Sequence, residues 1–354
     1  MVNMKNILVT GGLGFIGSHI ADYFVAQNVS NNIILVDNYA RSLFFNEISK
    51  RQIQNNLTLL QKHNNIKFYE KDIKDINFLK KLFQKFDFDL IFHTAGQTAV
   101  SYSIDNPYID YQNNFFASIN LLETIRKSKS NPKLIYFSSN KVFGDNVNNL
   151  KMLEKETRYE FQDPEFKGIP ESFPVDHCQH SPYGISKLCS DLYIQEYGYT
   201  FELDFIIFRM SCIYGPQQLA VEAQGWINHL ILNAIKDKTI NIYGNGKQVR
   251  DILYISDLIS IIKSLTHKNV KNKVYCIGGG YKNTISILEL IELLENLLKK
   301  KIQYNFHKWR IADQKIYISD IKKASKELDW SPKISPKEGV IMLINYYRTQ
   351  GYTL

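Results

Sequence analysis

The sequence predicts an α/β fold: a doubly wound parallel sheet followed by a smaller C-terminal α/β domain. Three observations carry this. Short runs rich in Ile, Leu, Val and Phe alternate with helix-length segments through the N-terminal half, as in strands buried on both faces by crossover helices. A glycine-rich turn, GGLGFIG from Gly11 to Gly17, links the first such run to a helical segment. Past Gly215 the alternation loosens while amphipathic segments persist, which marks a second lobe.

The elements follow in order. Asn6–Thr10 (NILVT) is an apolar first strand, and a helix runs from the glycine turn to about Gln27. Asn32–Asp37 and Asn65–Asp72 read as the second and third strands, Phe78–Phe86 as a helix, and Asp89–Ala95 as the fourth strand. A long helix covers Tyr111–Lys127, and Lys133–Ser138 is the fifth strand. Asp145 to about His180 is polar, charged and holds three prolines, so it is a surface excursion or a flap over the site, and the helix that begins right after it favours the flap. A helix at Tyr183–Tyr197 and a sixth strand at Phe205–Arg209 follow. In the second lobe, Trp226–Lys236 is helical, Ile240–Tyr243 is strand-like, and Ile285–Lys300 has strong helical periodicity. We place one domain at 1–210, with the flap near 145–180 inserted in it. The second, 211–354, returns to the first at least once.

Composition narrows the class. At 44% hydrophobic and 22% charged residues, the chain is an ordinary globular one. The net charge of +8 is scattered, and its densest patch, LLKKKI from Leu297, only ends a helix. It is compatible with an anionic small molecule; no nucleic acid and no membrane is expected as a partner. Four cysteines without paired spacing read as free thiols, and the eight histidines form no ligand cluster, so no metal is expected. With no apolar leader ahead of the first strand, the expected location is cytoplasmic.

The glycine turn has a chemical reading. Gly11, Gly14 and Gly17 let the backbone turn tightly and approach a pyrophosphate, whose charge rests on the helix N-terminus. Asp37 ends the second strand about 20 residues past Gly17, where an acid accepts ribose hydroxyls and repels a 2′-phosphate. Despite Arg41 nearby, the cofactor is therefore NAD. Asp72 ends the third strand; it bonds an adenine amino group or caps the next helix. Ala95 and Gly96 are small at the end of the fourth strand, either to let a cofactor lie flat or to pack a helix. With Phe15, Ile16, Asn38 and Ile73 beside these positions, they form the candidate cofactor site.

SPYGISK places Tyr183 and Lys187 one helical turn apart on one face. A phenol with a pKa near 10 is a poor base at neutrality; a neighbouring ammonium and a nicotinamide cation both favour the phenolate. Ser139, just past the fifth strand, completes a set that moves a proton as a hydride leaves the same carbon.

Taken together, TGGLGFIG, YFSSNKVFG, SPYGISK and FRMSCIYGP resemble the extended short-chain dehydrogenase/reductase superfamily, in its nucleotide-sugar epimerase and dehydratase branch. The resemblance runs from Asn6 to about Pro332. It implies Ser139, Tyr183 and Lys187 as catalytic residues and matches Asn114 to an asparagine on a helix facing the site. Dehydratases of the branch carry aspartate and glutamate directly after the serine or threonine; here Asn140 and Lys141 stand there, and an amide cannot exchange a proton as an acid does. Cys212 occupies a position that is asparagine in many members. AGQTAVSYSIDNP, SSNKVFGD, ETRY, HSPYG, YGPQQ, QGW and GNGKQVRD are similar to the CDP-tyvelose 2-epimerase subfamily. That likeness implies a CDP-linked 3,6-dideoxyhexose destined for O-antigen and inverted at C2 through a keto sugar. It also implies Asn140, Gln224 and Trp226 near the sugar, Trp226 as pocket wall or as core. Arg250 and Arg310 match diphosphate oxygens geometrically; either arginine has Asp251, Asp257 or Asp313 as another partner. A homodimer or homotetramer through the long helices of the NAD domain is implied by similarity. The residues leave open which carbon is inverted, and leave a 4-epimerase, a net dehydrogenase or a catalytically silent NAD- or RNA-binding protein as alternatives.

Overall fold

The apolar runs become strands β1 (Asn6–Thr10), β2 (Asn32–Asp37), β3 (Ile66–Glu70), β4 (Leu90–His93) and β5 (Lys133–Ser139). This is a computed structural model that describes residues 5–27, 31–41, 47–218 and 221–352. A short hairpin follows, β6 (Met152–Glu154) and β7 (Tyr159–Phe161), then β8 (Phe205–Met210) and β9 (Cys212–Tyr214). Later strands are β10 (Ile240–Tyr243), β11 (Val249–Tyr254), β12 (Lys273–Ile277), β13 (Thr284–Ser286), β14 (Tyr304–His307) and β15 (Ile316–Tyr317).

Seven strands form one sheet in the order β12-β8-β5-β4-β1-β2-β3. The pairings from β3 through to β5 are parallel, with Val9 of β1 opposite Leu35 on one side and Phe92 on the other. Strand order reverses between β1 and β4, and the carboxyl ends at such a switch point are where open α/β sheets bind ligands. The helices are buried against the sheet through one apolar stripe each. Leu79, Leu82 and Phe83 from the helix Ile76–Lys85 and Leu121, Leu122 and Ile125 from Ala117–Lys127 join Leu8, Ile34, Ile91 and Ile207 in one core.

The chain divides into two compact units. The first comprises residues 1–139, 182–208 and 265–274; the second comprises 140–181, 209–264 and 275–354. In the second, β11 is flanked by β15 in parallel and β13 antiparallel, pairs with β9 further along, and is accompanied by a parallel β10–β14 pair. The stretch read from sequence as a flap on the first domain is counted here with the second unit, which is comparable in length to the first. The reason is packing between residues remote in sequence. Tyr159 is buried with Val249, Ile316 and Ile318. Arg158 reaches Glu289 at 3.2 Å and Thr284 at 2.8 Å, and Ile169 bridges to Ser319.

Two helix boundaries differ from the periodicity. The segment expected as one helix over Ile285–Lys300 begins at Ile287, because Ser286 and Glu289 form a capping box and Thr284–Ser286 pairs as β13. It ends at Lys299 in left-handed conformation, and the lysines there pair with Asp237 and Glu295. The helix expected at Tyr111 starts instead with Pro107 at its first turn and passes through a π-helical turn, Gln112–Phe116, before Ala117–Lys127. Among the described residues, no helix is long and apolar enough to cross a membrane.

The buried ring of Tyr159 ties the 140–181 stretch to the second unit, so Tyr159→Ala should destabilise that unit by about 3 kcal/mol. Limited proteolysis should then cut between residues 140 and 181 well before wild type is cut; an unchanged digestion pattern would refute this packing role.

Candidate active site

In the first unit, the loop after β1 folds back on its own strand. The Gly11 and Gly12 amides both donate to the Val36 carbonyl of β2, and Gly14 donates to Gly11. Gly11 has a φ of +67°, and a Cβ there would lie 2.7 Å from the Ala95 amide nitrogen. A Cβ on Gly17 would lie 2.3 Å from the Gly11 carbonyl oxygen. These glycines are therefore required by the loop's own closure against the end of β4. The helix Phe15–Gln27 has no acidic residue in its first turn, so its N-terminal amides meet no competing charge and suit an anion such as a pyrophosphate.

Asp37 ends β2 beside this loop and accepts from the Leu13 and Tyr39 amides at 3.1 and 2.9 Å. Burial pushes its pKa up, opposed by those amides and by Arg41. Asn38 spans to Asp72 at 2.9 Å, and Asp72 also accepts from the Lys74 amide and lies 3.5 Å from the Lys74 ammonium. Ile73 is buried, while Phe15 stacks edge-on to His19 and Ile16 is partly buried. A Cβ on Gly96 would lie 2.8 Å from Asn114 Oδ1, so helix packing alone requires a small residue there. Asn114 is itself fully engaged: it donates to Asp110 and Ser186 and accepts from the Gln97 amide. Its carbonyl, on the π-helical turn, accepts from Ser118 and Ser190.

The structure brings Ser139, Tyr183 and Lys187 together. Tyr183, Lys187 and Asp191 repeat every four residues along the helix Ser181–Phe201, so they share the face turned to β5. The Tyr183 hydroxyl hydrogen-bonds Ser139, the Lys187 ammonium lies 4.2 Å from the Tyr136 ring centroid, and Ser138 donates to Asp191 at 2.9 Å. Burial raises the Tyr183 pKa to about 12, against the Ser139 hydrogen bond and with a further push from Asp110. Burial lowers Lys187 to about 7, opposed by Asp110 and Asp191. In this protein alone the phenol is thus a weaker acid than in water, and the expected phenolate needs positive charge from a bound cofactor.

In the second unit, Asn140 donates to Gln314 at 2.9 Å. Arg250 donates to Asp313 at 2.7 Å and to the Val249 carbonyl at 2.8 Å, and Lys141 lies 3.6 Å from the same Asp313 oxygen. Burial opposes the charge on Asp313, but Arg250 and Lys141 outweigh it and lower its pKa. Arg310 sits 4.1 Å over the Tyr243 ring and donates to the Glu222 carbonyl. Trp226 donates its indole N–H to Cys212 at 3.3 Å, and the buried Gln224 Oε1 has no hydrogen-bond partner among the described residues. Of the partners weighed for Arg250, Asp313 is the one it contacts; Asp257 accepts instead from the Lys333 and Ile334 amides. No group of three or more His, Cys, Asp or Glu among the described residues is arranged to hold a metal ion.

Sequence reasoning missed Asp110, Gln97 and Ser186 in the first unit and Gln314 in the second, and offered Asp313 only as one of three acids for the arginines. Gln97 lies in AGQTAVSYSIDNP and Ser186 in SPYGISK, stretches already quoted, and Asp110 stands three residues past the first, but nothing in spacing separates a buried carboxylate from a solvated one.

A doubly wound sheet with a glycine loop at its switch point and a serine–tyrosine–lysine set at the end of β5 and on the helix Ser181–Phe201 defines an extended short-chain dehydrogenase/reductase. A family model described as GDP-mannose 4,6 dehydratase matches residues 8–343, and the chain belongs to that family. Among curated proteins, CDP-paratose 2-epimerase of Salmonella typhi is 38% identical over 341 residues, covering 94% of this chain and 96% of that protein. UDP-glucuronate 4-epimerase of Thermodesulfobacterium geofontis is 33% identical, covering 97% and 96%. Among solved structures, UDP-glucuronic acid 4-epimerase from Bacillus cereus, in complex with UDP-glucuronic acid and NAD, has a TM-score of 0.82 at 29% identity, covering 98% and 100%. The protein is thus an enzyme of the nucleotide-sugar epimerase and dehydratase kind.

Lys187 also bears on stability. Its folded-state pKa of about 7 lies below the ordinary 10.5, so the unfolded chain holds the proton more tightly. The lysine therefore costs stability in full below pH 7, and the cost fades as pH rises from 7 towards 10.5. Lys187→Met should raise the Tm by a few degrees at pH 7, with a smaller gain at pH 9, while turnover is lost. A Tm gain that grows with pH would contradict this account of the buried ammonium.

Proposed function

We propose that the protein is an NAD-dependent nucleotide-sugar 2-epimerase that interconverts CDP-paratose and CDP-tyvelose. One observation carries the reading: the Tyr183–Ser139 pair and Lys187 supply one proton-handling group, while Asn140 and Lys141 stand where dehydratases of the branch hold an acid and a base. Proton transfer coupled to hydride transfer is retained, and the groups that eliminate water are not. The similarity to CDP-paratose 2-epimerase supports the choice of nucleotide and carbon.

The glycine loop and Asp37 fit a dinucleotide whose pyrophosphate rests on the helix N-terminus and whose ribose hydroxyls meet the carboxylate. NAD held there would supply a reversible hydride acceptor for the sugar carbon, with no net redox change. Tyr183 accepts the proton of the C2 hydroxyl and gives it back after the keto sugar has turned. The Ser139 hydroxyl, already bonded to Tyr183, orients that oxygen. Lys187 stabilises the phenolate whenever it carries its proton. Arg250 and Arg310 hold the diphosphate, with Lys141 adding charge, so the ketone turns without escaping. Binding energy far from the reacting carbon thereby serves the chemistry.

The association reading rests on the same first unit. Tyr108, Tyr111, Phe116, Ile185, Leu192, Tyr193 and Tyr199 are exposed on the helices around Pro107–Lys127 and Ser181–Phe201, with Phe115 and Tyr193 in ring contact across them. So large an apolar face suits a second copy of this chain, packed as a four-helix interface.

Incubation with CDP-paratose or CDP-tyvelose should give the same mixture of both by NMR, with almost no change in absorbance at the reduced-nicotinamide band. Tyr183→Phe should lower kcat by about 10²–10⁴-fold. Exchange of UDP-glucose with UDP-galactose alone would move the assignment to a 4-epimerase; wild-type rates in Tyr183→Phe would remove the tyrosine from the mechanism. In light scattering after gel filtration, wild type should run as a dimer or tetramer and the Phe116→Asp, Tyr193→Asp double variant as a monomer; a monomeric wild type would end the association reading.

A further inference from the structure

The first unit buries a carboxylate that none of the steps above uses. Asp110 is fully buried. Its Oδ1 accepts from Gln97 Nε2 at 2.9 Å and Asn114 Nδ2 at 3.2 Å, and its Oδ2 accepts from Ser186 Oγ at 2.5 Å. All three donors are neutral. None of them offsets a negative charge, and a carboxylate removed from water is kept only where something compensates its charge. That compensation is the Lys187 ammonium, on which Asp110 acts more strongly than Asp191 does.

The groups facing Lys187 come from several elements. Asp110 stands on the helix Pro107–Tyr111, His93 on β4, Tyr136 on β5, and Tyr183 and Asp191 on its own helix. His93 is kept neutral, its pKa lowered to about 3 by burial and then by Lys187, with its ring nitrogens bonded to Thr10 and Ser118. Asp191 is occupied by Ser138 and Gln195. The link to Asp110 is also mechanical. Ser186 lies between Tyr183 and Lys187 in the chain, so its bond to Asp110 hooks that helical turn to a neighbouring helix. The Tyr183 amide is held in turn by Ser103 Oγ at 3.1 Å.

We propose that Asp110 is a positioning residue for this reaction: it fixes the turn carrying Tyr183 and Lys187 through the Ser186 hydroxyl and sustains the charge of the Lys187 ammonium. The proposal deepens the reading that Tyr183 and Lys187 handle the proton, and rests on it.

Asp110→Asn keeps the volume and the acceptor for Gln97 while removing the charge. In protein labelled with ¹³C-lysine, the Lys187 Cε resonance is identified by its loss in Lys187→Arg. It should titrate near 7 in wild type and lower by about one unit or more in Asp110→Asn. The alkaline limb of the kcat–pH profile should move down with it, because the ammonium is lost at lower pH. Ser186→Ala leaves the charge in place, so that limb should stay while kcat falls about tenfold at unchanged KM. An unmoved Lys187 titration in Asp110→Asn would overturn the proposal. Should that variant not fold, wild-type kcat in Ser186→Ala would overturn it equally. A wild type silent on every nucleotide sugar would sink the functional reading instead, and the titration would still judge Asp110.

Discussion

The electrostatics of the first unit turn on one buried ammonium. Lys187 is packed over Tyr136, away from solvent, with its pKa held down to about 7. An ordinary lysine would be a permanent cation; here burial works against the charge, and Asp110 and Asp191 work for it. The same burial raises Tyr183. Both members of the pair therefore sit away from their values in water, and small changes in local charge decide whether the phenol can act as a base. A site tuned in this way is necessarily expensive in stability and sensitive to what binds beside it.

The second unit solves a different electrostatic problem. Lys141 and Arg250 share the carboxylate of Asp313, and Arg310 lies along the Tyr243 ring. Two cations on one carboxylate leave a surplus of positive charge, which favours an anionic ligand. By the resemblance, Lys141 stands where dehydratases of the branch carry a glutamate, so one position both lacks a carboxylate and adds charge suited to a phosphate. The matching family model bears a dehydratase's description, yet these residues carry the reading towards epimerisation. Family membership and reaction type are separate inferences here, the first from the whole chain and the second from two side chains.

Much of this was legible in the sequence because its signals are local. The glycine spacing, the acid ending the second strand and the four-residue interval from Tyr183 to Lys187 each depend on one element's geometry. Apolar runs located β1, β2, β5 and β8 to within a residue, since strands buried on both faces have no polar interruptions. The start of the helix at Ile287 was misjudged because Ile285 belongs to a strand paired with β11, and a capping box overrode the periodicity.

The sequence by itself determined the doubly wound sheet, the glycine loop and the serine–tyrosine–lysine set, because hydrophobic period and backbone geometry act over a few residues. Tertiary structure alone decided that the 140–181 stretch packs with the second unit, that Arg250 and Lys141 converge on Asp313, and that Asp110 stands behind Lys187. Those facts concern residues far apart in the chain. Burial and charge pairing arise only where the fold brings such residues together, and no sequence interval encodes the distance between them.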